Sequence, residues 1–129
     1  MPHFQIDYSA NLEEVVDMSA LCEVIRAAAA QIATFPTPGI RVRATRVDHM
    51  AMADGNPKHG FIDLSVRLRE GRADDDKKNA ITRIFATLKD FVTPAMETHS
   101  IALSAEMRDI DATFSPKFGN VRDHMEDTQ

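Results

Sequence analysis

The stretch FIDLSVRLREG constrains the fold more than any other part of the chain. Ile62, Leu64, Val66 and Leu68 alternate without a break with Asp63, Ser65, Arg67 and Arg69. That is the period of a strand with one buried face. Such a strand needs a cover for its apolar side, and the residues after it supply one. Asp74, Asp75 and Asp76 suit the positive end of a helix. Ala80/Ile81, Ile84/Phe85, Leu88 and Phe91/Val92 then recur at helical spacing. Pro94 is expected to kink or end that helix, because its ring removes a donor and clashes with the preceding turn. SIALSAEMRDI resumes the alternation, with Ile101, Leu103, Ala105 and Met107 on one side.

The first half of the chain repeats this order. In MPHFQIDYS, Phe4, Ile6 and Tyr8 share one side of a strand and His3, Gln5 and Asp7 the other. Pro2 fits the start of a strand, where no ladder donor is needed. NLEEVVD reads as a polar connector. A helix is expected from Asp17 or Ser19, striped by Met18, Leu21, Cys22, Ile25, Ala28, Ala29 and Ile32 and stopped by FPTPG. In IRVRATRVDHM, Ile40, Val42 and Ala44 alternate with Arg41, Arg43 and Thr45, and the slip near Arg46–Val47 suggests a bulge. MADGNPKHG is a loop.

Two βαβ units, about 1–50 and about 59–110, predict an α+β fold within a single domain, 1–129. Right-handed crossovers would leave two helices on one face of a four-stranded sheet. Residues 111–129 form a tail whose Phe114, Phe118 and Val121 are expected to clip onto the body or a neighbour, with a loose end.

Charge narrows the partners. Fifteen Lys+Arg against twenty Asp+Glu give a net charge of -5, which argues against nucleic acid or an anionic membrane. The one cysteine, Cys22, excludes an internal disulfide framework and fits a reducing compartment. No apolar stretch approaches the ~18 residues of a membrane span, and the N-terminus lacks the pattern of a signal peptide. A cytoplasmic protein is expected. His3, His49, His59, His99 and His124 occur singly, without the paired spacings of a zinc site. Cys22 lies on the apolar helical stripe, as a small buried hydrophobe does. Neither a phosphate-cradling glycine loop nor a GxSxG elbow is present.

Two arginines stand out against this acidic background. Arg41 sits where the FPTPG turn enters a strand, and Arg72 where a strand ends and a helix begins. Such junctions commonly carry binding residues, and a guanidinium there favours a carboxylate. Pro2 adds a third element if Met1 is removed. The chain would then begin with a secondary amine fixed on a strand. Cationic neighbours and a low-dielectric pocket both disfavour its protonated form. A neutral amine at physiological pH is what a general base requires.

These residues carry a resemblance that extends over nearly the whole chain. MPHFQIDYSANL, FPTPGIRVRATRVDHMAMADG, HGFIDLSVRLREGR, SIALSAEMRDID and FSPKFGNVR together resemble the 5-carboxymethyl-2-hydroxymuconate isomerase family, within the tautomerase superfamily that uses an amino-terminal proline. The resemblance implies a tautomerase-like fold, a homotrimer and a reaction without cofactor or metal. It implies that Pro2 shuttles the proton and that Arg41 and Arg72 bind the carboxylates of a small, multiply charged substrate from aromatic catabolism, the homoprotocatechuate branch. Alternatives on the same scaffold are a phenylpyruvate-type tautomerase and a hydratase acting on another unsaturated acid. A non-catalytic oligomeric binding module is the alternative of a different class.

Overall fold

A computed structural model describes residues 1–126. Four strands, β1 (His3–Ser9), β2 (Arg41–Val47), β3 (His59–Arg69) and β4 (Ser100–Ile110), form one sheet in the order β2-β1-β3-β4. Helix α1 (Met18–Ala30) links β1 to β2, and α2 (Asp74–Val92) links β3 to β4. Both of those pairs are parallel, whereas the central pair β1/β3 is antiparallel. A parallel pair cannot be closed by a tight hairpin, so each helix serves as the crossover. The α+β fold expected from the sequence is present.

One side of the sheet and the helical stripes make the core. Phe4, Ile6 and Tyr8 from β1 and Ile62, Leu64, Val66 and Leu68 from β3 are buried. Against them lie Leu21, Ile25 and Ala29 of α1 and Ala80, Ile84, Leu88 and Val92 of α2. Ile101, Leu103, Ala105 and Met107 of β4 pack at the margin of this cluster, half-buried. The opposite face carries Gln5, Ser65, Ser104, Glu106 and Arg108, which are half-buried or exposed.

The helix ends follow local chemistry. Asp17 caps α1, its side chain accepting a hydrogen bond from the Ala20 amide at 3.0 Å, which satisfies one of the unpaired amides of the first turn. The three aspartates 74–76 occupy the first turn of α2. That helix stops at Val92, and Pro94 sits at the start of the 3₁₀ turn Thr93–Glu97.

Several expectations need correction. NLEEVVD is not simply a polar connector: Ala10–Leu12 forms a 3₁₀ turn, and Leu12 and Val16 are buried. No bulge interrupts β2, whose pairing runs continuously from His3↔Arg41 to Ser9↔Val47. The slip in its pattern has another cause, since β2 is an edge strand and Arg46 and Val47 are not fully covered on either side. Helix α1 ends at Ala30, before FPTPG, although Ile32 beyond its end is still buried. Phe35 of that motif belongs to the core and meets Phe4 edge-on, with ring centroids 5.0 Å apart. In the tail, Phe114 and Phe118 are exposed, so of the body and the neighbour expected to receive them the body is not the one. The turn Val121–His124 does pack against the turn Thr37–Gly39. The loose end expected at 127–129 lies outside the described residues.

Candidate active site

The pairing pattern gathers one end of every strand around the start of the chain. Parallel pairing sets the beginning of β2 beside the beginning of β1, with Arg41 opposite His3. Antiparallel pairing brings the end of β3 to the same place, with Arg67 opposite His3 on the other side. The end of β4 follows in register, Arg69 lying opposite Ile110, so the tail also starts there. Segments from four distant parts of the sequence thus border one cavity of about 890 Å³. Its walls include Met1, His3, Pro38, Gly39, Arg41, Arg69, Lys117 and Phe118.

Pro2 is buried at the base of β1. Its carbonyl accepts a hydrogen bond from the Arg41 amide at 3.3 Å, which ties the first residues to β2. On one side the ring is backed by Gly39. A Cβ there would stand 2.9 Å from Pro2 Cδ and 3.0 Å from Met1 Cα. Only a residue without a side chain lets the FPTPG turn approach the proline this closely. The amino group in the structure is that of Met1, one residue ahead of the Pro2 nitrogen. The Met1 side chain reaches into the cavity, and its Sδ lies 3.9 Å from Arg41 Nη2.

Electrostatics at this end are one-sided. The amino group is held below the ordinary value of 8.0, first by partial burial and then by the charges of Lys117, Arg72, Arg41 and Arg69. Both effects penalise the protonated form. Among the described residues none of these four cations has a carboxylate within ion-pair distance. Lys58, Lys78, Arg83 and Lys89 elsewhere are likewise without an ion pair among the described residues, so what sets the four apart is their convergence on one amino group. An uncompensated cationic cluster in a chain of net charge -5 is suited to a multiply charged anion.

Arg41 lines the cavity directly, as the sequence reading expected of a binding residue. Arg72 stands further out. Its Nη1 donates to the Arg69 carbonyl at 3.0 Å, and its charge is felt at the amino group without its side chain joining the wall. Gly71, at φ 108°, makes the turn that separates Arg72 from β3, a conformation that favours glycine. Pro2, Arg41 and Arg72 are thus drawn to one end of the sheet, with Arg72 at its edge.

Sequence reasoning missed three contributors. His3 counted as one of five scattered histidines, yet it lines the cavity. Its pKa is pushed down to about 4 by burial and by Arg67, Arg41, Arg43 and the amino group. Arg43 Nη1 lies 3.3 Å from His3 Nδ1. A guanidinium can only donate, so Nδ1 is the acceptor and the neutral ring carries its proton on Nε2. Arg69 read as an outward strand residue, and Lys117 as part of a tail with no assigned role. A lysine set between Pro116 and Phe118 in a loop was the available signal for Lys117. The remaining histidines stay apart, and no three His, Cys, Asp or Glu side chains among the described residues are grouped to hold a metal ion. No helix among them is long and apolar enough to cross a membrane.

Comparison with known proteins shows the family. Residues 2–125 match the family model of 5-carboxymethyl-2-hydroxymuconate isomerase. A 5-carboxymethyl-2-hydroxymuconate Delta-isomerase of Escherichia coli is 31% identical over 121 residues, covering 94% of this chain and 96% of the relative. A crystal structure of a 5-carboxymethyl-2-hydroxymuconate delta-isomerase superposes with a TM-score of 0.90 at 27% identity, over 100% of this chain and 95% of that one. A 5-carboxymethyl-2-hydroxymuconate isomerase from Deinococcus radiodurans R1 gives a TM-score of 0.87 at 29% identity, over 95% and 92% of the two chains.

Proposed function

Because the chain belongs to the 5-carboxymethyl-2-hydroxymuconate isomerase family, we propose that it ketonises 5-carboxymethyl-2-hydroxymuconate through the free amine of Pro2. The observation that carries this reading is the amino end of β1, buried against Gly39 and faced by cations that have no acidic partners. Removal of Met1 turns the Pro2 nitrogen from an amide into a secondary amine. It also clears the methionine side chain from the cavity and from the Arg41 guanidinium.

In the reaction, a proton leaves the 2-hydroxyl oxygen and another is delivered to a distant carbon of the conjugated diene. The bonds between shift, and the composition is unchanged. One base that accepts and returns a proton is sufficient, so the step needs neither cofactor nor metal. Neighbouring cations disfavour the protonated amine and so favour its use as a base. Arg41 binds a carboxylate and stabilises the charge that develops on the adjacent oxygen. Arg72, from the edge of the site, acts on a second carboxylate.

The unit at work is the single tautomerase-like domain, assembled as a homotrimer. The exposed Phe114 and Phe118 and the half-open polar face of the sheet supply surface for that assembly. Cytoplasmic residence is in keeping with a lone, half-buried thiol at Cys22.

The test is Pro2→Ala in protein shown by intact mass to have lost Met1. General acid–base catalysis contributes about 10²–10⁴-fold, and a kcat loss in that range is expected with an unchanged circular-dichroism spectrum. Wild-type kcat in the processed variant would remove Pro2 from the mechanism.

A further inference from the structure

We propose that Lys117 is a specificity-determining residue, the contact for the third carboxylate of the substrate. This rests on the function proposed above and deepens it. A 5-carboxymethyl-2-hydroxymuconate carries a carboxylate at each end of its six-carbon chain and a third on the carboxymethyl arm. Arg41 and Arg72 answer two of these. The third calls for a further cation, and besides Arg41 the cavity is lined by Arg69, Lys117 and Arg122.

Lys117 meets that need on several independent grounds. It lines the cavity together with Met1 and Arg41. Among the described residues it has no carboxylate within ion-pair distance. The segment that carries it is fixed at both ends. Ahead of it, the Ala112 amide donates to Glu70 Oε2 at 2.8 Å, and the Asp111 side chain accepts from the Thr113 amide at 2.9 Å. Beyond it, Val121–His124 rests against Thr37–Gly39, the same turn that backs Pro2. Its position is therefore tied to that of the amine. Its charge is also the one felt most strongly at the amino group.

The residue type fits the arm it would hold. The carboxymethyl group rotates about its methylene, so its carboxylate has no fixed plane. An ammonium on a flexible stem follows such a group as a point charge, whereas arginine's rigid fork suits the planar carboxylates conjugated to the diene.

The experiment compares two substrates, 5-carboxymethyl-2-hydroxymuconate and 2-hydroxymuconate, which lacks the carboxymethyl arm. With the processed enzyme, Lys117→Gln is expected to lose roughly 10- to 100-fold in kcat/KM on the tricarboxylate, mainly through KM, as for loss of a charged hydrogen bond. Measured on the alkaline side of the acid limb, where the loss of a cation near the amine no longer changes its protonation, the change on the dicarboxylate should stay within about twofold. Lys117→Arg should keep the preference for the tricarboxylate. An equal loss on both substrates under these conditions gives Lys117 no part in reading the carboxymethyl arm and overturns the proposal, as does no loss on either. Failure of the wild-type enzyme on the tricarboxylate refutes the proposed function itself and this inference with it. Wild-type turnover without a substrate-dependent loss in Lys117→Gln overturns the role of Lys117 alone.

Discussion

Gly39→Ala tests whether the packing behind Pro2 matters for catalysis. An alanine Cβ at this position falls 2.9 Å from Pro2 Cδ, against an ordinary contact of at least 3.4 Å. Either the proline or the turn must retreat by about half an ångström. Gly39 is not among the glycines of positive φ, so alanine accepts the backbone there and the contact is isolated from strain. Overpacking of this kind costs about 1–3 kcal/mol of stability. Its effect on rate follows from positioning: a misplacement of about 1 Å can cost 10²-fold, so half of that is worth roughly tenfold. The assay is steady-state kinetics with processed protein, together with thermal unfolding. A displaced base lowers kcat, while a methyl group that merely obstructs the cavity raises KM. Wild-type kcat in a variant of lowered Tm would refute the reasoning, since the backing contact would then be structural only.

Arg41→Ala should lose roughly 10- to 100-fold in kcat/KM through its missing charged contact, and Arg72→Ala less, because Arg72 stands at the edge of the cavity; the ranking is read from initial rates, and the reverse order would contradict the geometry. Burial and four cations hold the Met1 amino group low; a Pro2 amine exposed by removal of Met1 meets the same cations, so the acid limb of kcat/KM should lie below the ordinary pKa of a free proline amine. Protonation inactivates a base, so activity rises with pH through that limb, and Arg72→Ala should shift it to higher pH; an unmoved limb counts against the cationic cluster. Phe35→Ala removes the partner of Phe4 from the core and is expected to cost about 3–5 kcal/mol in urea unfolding. A loss well under 1 kcal/mol would mean that the site collapses around the gap.

How much was legible depended on whether the cause was local. Alternation in Phe61–Arg69 and Ser100–Ile110, and the stripes of α1 and α2, are written in consecutive side chains. Backbone geometry converts such periods directly into strands, helices and buried faces. Pro94 likewise acts within one turn, which is why α2 ends where the sequence indicates. Leu12 was misjudged because its neighbours are polar, and only contact with Gly60 on β3 reveals that it is buried. The bulge expected in β2 was misjudged because an edge strand need not keep a clean pattern.

Pro2, Arg41 and Arg72 could be named as candidates from the chain because each lies at a junction of elements. Gly39, Arg69, Lys117 and His3 were given no role, because beyond the setting of Lys117 between Pro116 and Phe118 nothing local distinguishes them. Their meeting depends on which strand pairs with which, and in what direction. Parallel β1/β2, antiparallel β1/β3 and parallel β3/β4 put the start of β1 beside the start of β2 and the ends of β3 and β4. Pairing is a non-local choice settled by the packing of the whole core, and a side-chain period carries no record of the partner. The elements, their buried faces and the acidic balance of the chain are set by consecutive residues and could be read from them directly. That Arg41, Arg69, Arg72 and Lys117 converge on the first residues follows from strand pairing and the path of the tail, which no local pattern records.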